Sequence, residues 1–291
     1  MSLLCAVTGA TGTQGGAVAR ALLARGVRVR AVTRQPDGAA ARALTALGAE
    51  AVRADMNDAE SLAHAFEGAD AVYAVTDFFK NGIDGEIRHG KAMADAARAG
   101  GVRHLVVASV ASADRAASVP HFASKREIER HVERVGIAAT IVRPSIFMED
   151  LIEKKYVPPA SWGMMRKIIG TDRPIPWIGA RDIGEAVAAI VTARDTWRDR
   201  TVTLAGDVRS IGEARAIFER VNGKRPFALA IPNAIFRAFV SRELLAMWEW
   251  LARETMDGSV EQTRALVPGA LGMEEWLRAR SEPRAARRAA Q

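Results

Sequence analysis

A chain of 291 residues is long enough to bury the core of one large α/β domain with an appended lobe, or of two modest domains. Its 49% hydrophobic and 26% charged residues exclude a disordered polar chain. The net charge of +7 raises nucleic acid as a partner, but residues 278–291 carry five Arg against one Glu, so this segment holds +4 and reads as a basic flexible tail. Nucleic acid is therefore disfavoured. The single Cys5 excludes an internal disulfide and, inside "LLCAV", reads as a buried strand residue suited to a reducing cytoplasm. Without a charged-then-apolar leader or an apolar run long enough to span a bilayer, a cytoplasmic chain with no membrane partner is expected.

The run "LLCAVT" (3–8) reads as a first strand and leads directly into "GATGTQGG", which sets Gly9, Gly12 and Gly15 in G-x-x-G-x-x-G spacing at the mouth of a helix. Such glycines serve a tight turn, close approach of backbone to a pyrophosphate, and close helix-to-strand packing, while free amides at the helix start face the phosphates. The setting of strand, glycines and helix points to dinucleotide binding, with Thr11, Thr13 and Gln14 in the same turn. A second strand, "VRVRAVT" (27–33), ends in Thr33 and Arg34, where an NAD-binding chain usually holds Asp or Glu. An Arg there can fork onto a 2'-phosphate, so NADP(H) is favoured, the alternative being a solvated Arg at a strand end. After a third strand, "AEAVRA" (49–54), Asp55 is placed either to accept from an adenine amino group or to cap. "NDAESLAHAF" then opens a helix with Asn57 or Asp58 as N-cap.

"DAVYAV" (70–75), "HLVVASV" (104–110) and "AATIVRP" (138–144) continue the alternation of strands with helix-length connections. This predicts an α/β fold: a doubly wound parallel sheet of the Rossmann type over residues 1–150, with elements around 180–206 returning to it. From 151 to 277 the pattern changes to a smaller C-terminal α/β lobe, read mainly as a substrate lid. Its opening is rich in Pro, and all six Trp lie after residue 160. A strand is expected at 201–206, a helix from Ser210, and helical segments around 233–277. Trp162 and Trp177, in the irregular stretch, are pocket candidates, whereas Met247, Trp248 and Trp250 read as core.

Taken together, "GATGTQGG", "VTR", "ADMND", "HFASKREIERHV", "VRPSIFMED" and "ARDIGEAVAAIV" resemble the NmrA-like family, an atypical branch of the short-chain dehydrogenase/reductases, most closely over residues 3–195. The resemblance implies an NADP(H)-binding sheet with a lobe closing over the nicotinamide end. It puts Gly9, Gly12, Gln14 and Gly15 on the pyrophosphate, Arg34 on the adenosine phosphate and Lys125 near the nicotinamide ribose. It lines the nicotinamide pocket with Val75, Thr76 and Phe78 on one side and Pro144, Ser145 and Phe147 on the other. Phe79, Met148 and Tyr156 would join Trp162 and Trp177 toward the substrate. Ser109 falls near the superfamily's orienting hydroxyl, with Ser112 the alternative.

The superfamily's Tyr-x-x-x-Lys acid is absent: neither Tyr73 nor Tyr156 is followed by Lys four positions on, and His121 stands four residues before Lys125. A nearby ammonium disfavours imidazolium, so His121 is expected neutral near pH 7 unless a carboxylate intervenes. It either polarises a carbonyl as a neutral donor or merely packs beside the cofactor. The five His form no metal-ligand pair, and neither a G-x-x-x-x-G-K loop nor a G-x-S-x-G elbow occurs. Members of the family divide between reductases of quinones, dyes and phenylpropanoids and regulators that bind dinucleotides without clear catalysis. The leading reading is an NADPH-dependent reductase, monomeric or homodimeric, of a small carbonyl, enone, imine or quinone-like substrate, with Lys125 and His121 at the reacting end. The alternative is a redox sensor acting through a protein partner.

Overall fold

The structure, a computed structural model, describes residues 3–152, 161–239 and 241–289. Chain order begins β1 (Leu4–Val7), α1 (Thr13–Ala24), β2 (Arg28–Thr33), α2 (Ala39–Thr45), β3 (Glu50–Arg53), α3 (Ala59–Phe66), β4 (Ala71–Ala74), α4 (Phe78–Ala99), β5 (His104–Ala108), α5 (Pro120–Val135) and β6 (Ala139–Pro144). It continues with β7 (Ile146–Phe147), a 3-10 turn (Met148–Leu151), α6 (Ser161–Ile169) and β8 (Ile175–Ile178), then α7 (Ala180–Thr192), α8 (Arg194–Trp197) and β9 (Arg200–Leu204). The last elements are β10 (Asp207–Arg209), α9 (Ile211–Asn222), α10 (Asn233–Phe239), α11 (Arg242–Leu251), α12 (Val260–Leu266) and α13 (Met273–Ala289).

Two compact units result. The first joins Met1–Pro144 to Ala180–Thr203, and the second joins Ser145–Gly179 to Leu204–Gln291. In the first, a seven-stranded parallel sheet runs in the order β3-β2-β1-β4-β5-β6-β9. Runs such as "LCAV" and "HLVVA" form central strands because every side chain in them is buried, as a sheet covered on both faces requires. Strand order reverses between β1 and β4, so the connections leaving these two strands diverge to opposite faces and open a crevice at their C-terminal ends. Helix α7 lies against α1, and a Cβ on Gly184 would stand only 2.7 Å from the Ala17 carbonyl, so this close approach depends on a residue without a side chain.

The second unit has its own three-stranded sheet, β10-β8-β7, in which β8 pairs antiparallel with β10 and parallel with β7. Helix α9 opens on a capping box: the Ser210 hydroxyl accepts from the Glu213 amide at 3.2 Å, and the Glu213 carboxylate accepts from the Ser210 amide at 2.7 Å. The apolar run 225–231 forms neither helix nor strand and exposes Phe227 and Leu229. Helix α13 runs from Met273 to Ala289, in keeping with the high helix propensity of Ala, Arg and Glu. No helix among the described residues is long and apolar enough to cross a membrane.

Candidate functional site

Five of the sheet's C-terminal strand ends carry the residues singled out from the sequence: the glycine turn after β1, Thr33 and Arg34 at β2, Asp55 after β3, Val75 and Thr76 after β4, and Ser109 after β5. Pro144 closes a sixth, β6. Thr8 ties the two central ends together. Its hydroxyl donates to the Tyr73 carbonyl at 3.1 Å and accepts from the Val75 amide at 3.0 Å.

The glycine turn is built on absent side chains. Gly9 has φ +58°, and a Cβ there would lie 2.8 Å from Val75 Cγ1; a Cβ on Gly15 would overlap the Gly9 carbonyl and stand 2.8 Å from the Thr8 oxygen. Gly12 is the N-cap of α1, with no side chain satisfying the first amides and no acidic residue in the first turn. That helix end therefore presents free N–H groups and the positive end of its dipole. Gln14 Nε2, in the same turn, is buried with no partner among the described residues.

At the β2–β3 edge Arg34 is exposed and its charge acts on Asp55. Asp55 Oδ1 accepts from the Asn57 backbone at 2.9 Å and from the Asn57 side chain at 3.0 Å, bonds that with Arg34 hold its carboxyl below the usual carboxylate range. The helix cap is the neighbouring Asp58, which accepts from the amides of Glu60 and Ser61.

Beside β4 lies a buried polar cluster. Glu86, fully buried on α4, accepts from Thr76 Oγ1 at 2.8 Å and from the Ser124 hydroxyl, and pairs with Lys125 Nζ at 3.0 Å. Lys125 also donates to Thr76 Oγ1 at 2.7 Å. Burial alone would raise the Glu86 carboxyl, but the Lys125 charge and the bonds from Ser124, Lys125 and Thr76 outweigh it and hold the group ionised, below its ordinary value. The sequence reading missed Glu86. Its signal was there: it shares with His89, Met93 and Ala97 the buried face of α4, a place where a carboxylate needs a partner.

His121 stacks on Phe78 with ring centroids 4.5 Å apart and meets Phe122 edge-on at 4.8 Å. Phe79, next to Phe78, is exposed. Burial pushes His121 down to about 4; Glu86 works against that shift and Lys125 adds to it, so the ring is neutral at pH 7. Its Nδ1 has no partner among the described residues. His104 is also lowered to about 4, chiefly by burial; its Nε2 meets Thr140 Oγ1 at 2.8 Å, and the Thr140 proton is committed to the Trp197 carbonyl. Both histidines take up protons more readily unfolded than folded, so their contribution is complete above about pH 6.5 and is lost as pH falls toward 4. Acidification from pH 6.5 to 5 should remove roughly 2 kcal/mol for each. Urea unfolding at pH 7 and 5 checks this: His121→Phe should show a shallower acid loss than the wild type, and an equal loss would contradict it.

Ser109 does not stand free. Its hydroxyl donates to Glu129 Oε1 at 2.5 Å, and Glu129 is held by Arg143 through Nε–Oε1 at 2.8 Å and Nη2–Oε2 at 2.7 Å, with Arg126 at 3.0 Å. Ser112, buried at φ 61°, accepts from Arg115 at 3.3 Å.

In the second unit, Trp162 is buried edge-on against Phe218 with centroids 5.1 Å apart, and Trp177 is buried with its indole N–H donating to the Arg209 carbonyl at 2.9 Å. Met148 is fully buried; Ser145 is buried, its amide donating to the Leu204 carbonyl at 2.9 Å; Phe147 is half-buried in β7. Tyr156 lies outside the described residues.

Sheet order, switch point and glycine turn define a doubly wound protein of the Rossmann type. The chain belongs to the NmrA-like family, whose model matches residues 1–277. The NmrA-like family domain-containing oxidoreductase FrzB of Cladobotryum sp is 30% identical over 252 residues, 77% of this chain and 75% of that protein. Among solved structures, a Citrobacter sp. triphenylmethane reductase complexed with NADP(H) superposes with TM-score 0.77 at 21% identity, over 94% of this chain and 99% of the other. NmrA, a negative transcriptional regulator solved with NAD, gives 0.76 at 23% identity over 95% and 94%. These two share the fold.

Proposed function

We propose that the chain binds NADP(H) and reduces a small carbonyl, enone, imine or quinone-like substrate. The observation that carries this reading is the gathering of the glycine turn and the Thr76–Glu86–Lys125 cluster at the β1 and β4 strand ends, where a doubly wound sheet holds its ligand. The residues fit the cofactor. The glycine turn leaves a cradle that Cβ atoms would fill, Gln14 Nε2 lacks a partner, and Arg34 offers an exposed guanidinium at the adenosine end. In this reading the amides of Thr13, Gln14 and Gly15 hold the pyrophosphate, Arg34 the 2'-phosphate, and Lys125 the nicotinamide ribose. Bound in its reduced form, the cofactor supplies the hydride.

The protein's part is orientation and electrostatics. Lys125 brings positive charge to the reacting end, and Phe78 with His121 gives a flat aromatic wall. As a neutral imidazole His121 can donate one N–H but is a poor source of a full proton, which favours acceptors that take hydride ahead of protonation. Oxidoreductase relatives such as FrzB support a reductase. A panel of quinones, enones, imines and aldehydes with NADPH tests it. Cofactor oxidation above background with at least one class is expected. Background rates throughout, with partner binding that differs between NADP+ and NADPH, would instead support a redox sensor.

A further inference from the structure

Glu86 is not among the residues that read as cofactor-binding, yet it is the hub of the charged groups beside β4. Three side chains converge on its carboxylate: Thr76 from the end of β4, and Ser124 and Lys125 from the second turn of α5. Oε1 serves Thr76 and Lys125, and Oε2 serves Ser124, so both oxygens of this fully buried carboxylate are engaged. A free lysine side chain samples many rotamers, and holding one in place costs side-chain freedom. Here that freedom is already gone before any ligand arrives. Lys125 Nζ has two of its three N–H directions fixed, toward Glu86 Oε1 at 3.0 Å and Thr76 Oγ1 at 2.7 Å, and one direction left.

We propose that Glu86 is the positioning residue for the nicotinamide end of the site: its buried carboxylate, with Thr76, clamps the Lys125 ammonium so that its remaining N–H is aimed at the cofactor ribose. This rests on the reading above that Lys125 serves that ribose. A carboxylate near an anionic cofactor is unfavourable as a charge, so its presence at this depth is explained by what it does to Lys125 and not by attraction to the ligand. The charged and titratable groups that face the cluster are Glu86 from α4 and His121 and Lys125 from α5.

The test is calorimetric titration of NADPH into wild type, Glu86→Gln, Glu86→Asp, Lys125→Ala and Glu86→Gln/Lys125→Ala, with thermal melts of each. Glu86→Gln should weaken NADPH about tenfold, because the ammonium is no longer clamped toward the ribose. Glu86→Asp keeps the charge but withdraws it by one methylene, so affinity should fall by less; this variant also serves should Glu86→Gln fail to fold. The double variant should bind no worse than Lys125→Ala alone. NADPH binding by Glu86→Gln that is unchanged or tighter while Lys125→Ala weakens it would overturn the role of Glu86. Unchanged binding by Lys125→Ala would instead overturn the placement of the nicotinamide ribose.

Discussion

Replacing Glu129 with alanine is expected to cost about 3–5 kcal/mol of stability, the scale for removing one partner of a buried ion pair. The loss comes from what it strands. Arg143, on β6, forks onto Glu129 with both bonds under 2.9 Å and, among the described residues, keeps Asp114, a half-exposed carboxylate at 2.9 Å, when Glu129 is gone. Burial alone would raise the Glu129 carboxyl, but the bonds from Arg143, Ser109 and Arg126 and the Arg143 charge hold it ionised, so the variant takes from Arg143 the buried partner that engages two of its nitrogens and leaves it the partly solvated Asp114. The same carboxylate fixes the Ser109 hydroxyl at the end of β5, so two adjacent strand ends loosen together. Urea unfolding at pH 7 measures the loss. Glu129→Leu with Arg143→Met, which removes both charges, should recover much of it, whereas a Glu129→Ala loss below 1 kcal/mol would mean the network is solvated and not structural.

Arg34→Ala should reduce NADPH affinity roughly 10- to 150-fold, the equivalent of about 1.5 to 3 kcal/mol for a hydrogen bond to a charged group. NADH, which has no 2'-phosphate, should lose little. The argument is one of position: Arg34 follows directly on β2, one strand from the glycine turn, and is exposed, so its fork is open to a ligand. Asp55 tempers it, since that carboxylate lies close enough to feel the Arg34 charge. Titration of both cofactors into both proteins decides the matter, and equal losses for NADPH and NADH would mean that Arg34 does not read the phosphate.

The strands of the first unit and the glycine turn were legible because each is a local matter. A buried strand of a parallel sheet needs a short, uninterrupted apolar run, and "LLCAVT", "DAVYAV" and "HLVVASV" show it. The turn after β1 needs glycines at set spacing. Glu86 was hidden for the opposite reason: its partners lie 10 residues before it and 38 and 39 after it, and only the packing of α4 on α5 brings them together. Glu129 and Arg143 were hidden in the same way. Trp162 and Trp177 drew attention because they sit in a Pro-rich stretch without period, yet both are core residues of the second unit. Strands β7 and β10, two and three residues long, carry too little pattern to be read, and the 225–231 run has strand-like composition but stays irregular between Pro226 and Pro232.

Transfer of deuterium from 4,4-dideuterated NADPH to carbon in an enone, imine or aldehyde product tests the central reading most directly, because it follows the hydride itself; quinone turnover, whose O–H product exchanges its label with water, is followed by NADPH oxidation. The account expects label in the product, at a rate that falls when Lys125 is replaced by alanine. Enone, imine or aldehyde product without label, or no product from any class including quinones while NADPH binds tightly, would contradict a reductase and leave the cofactor as a bound signal.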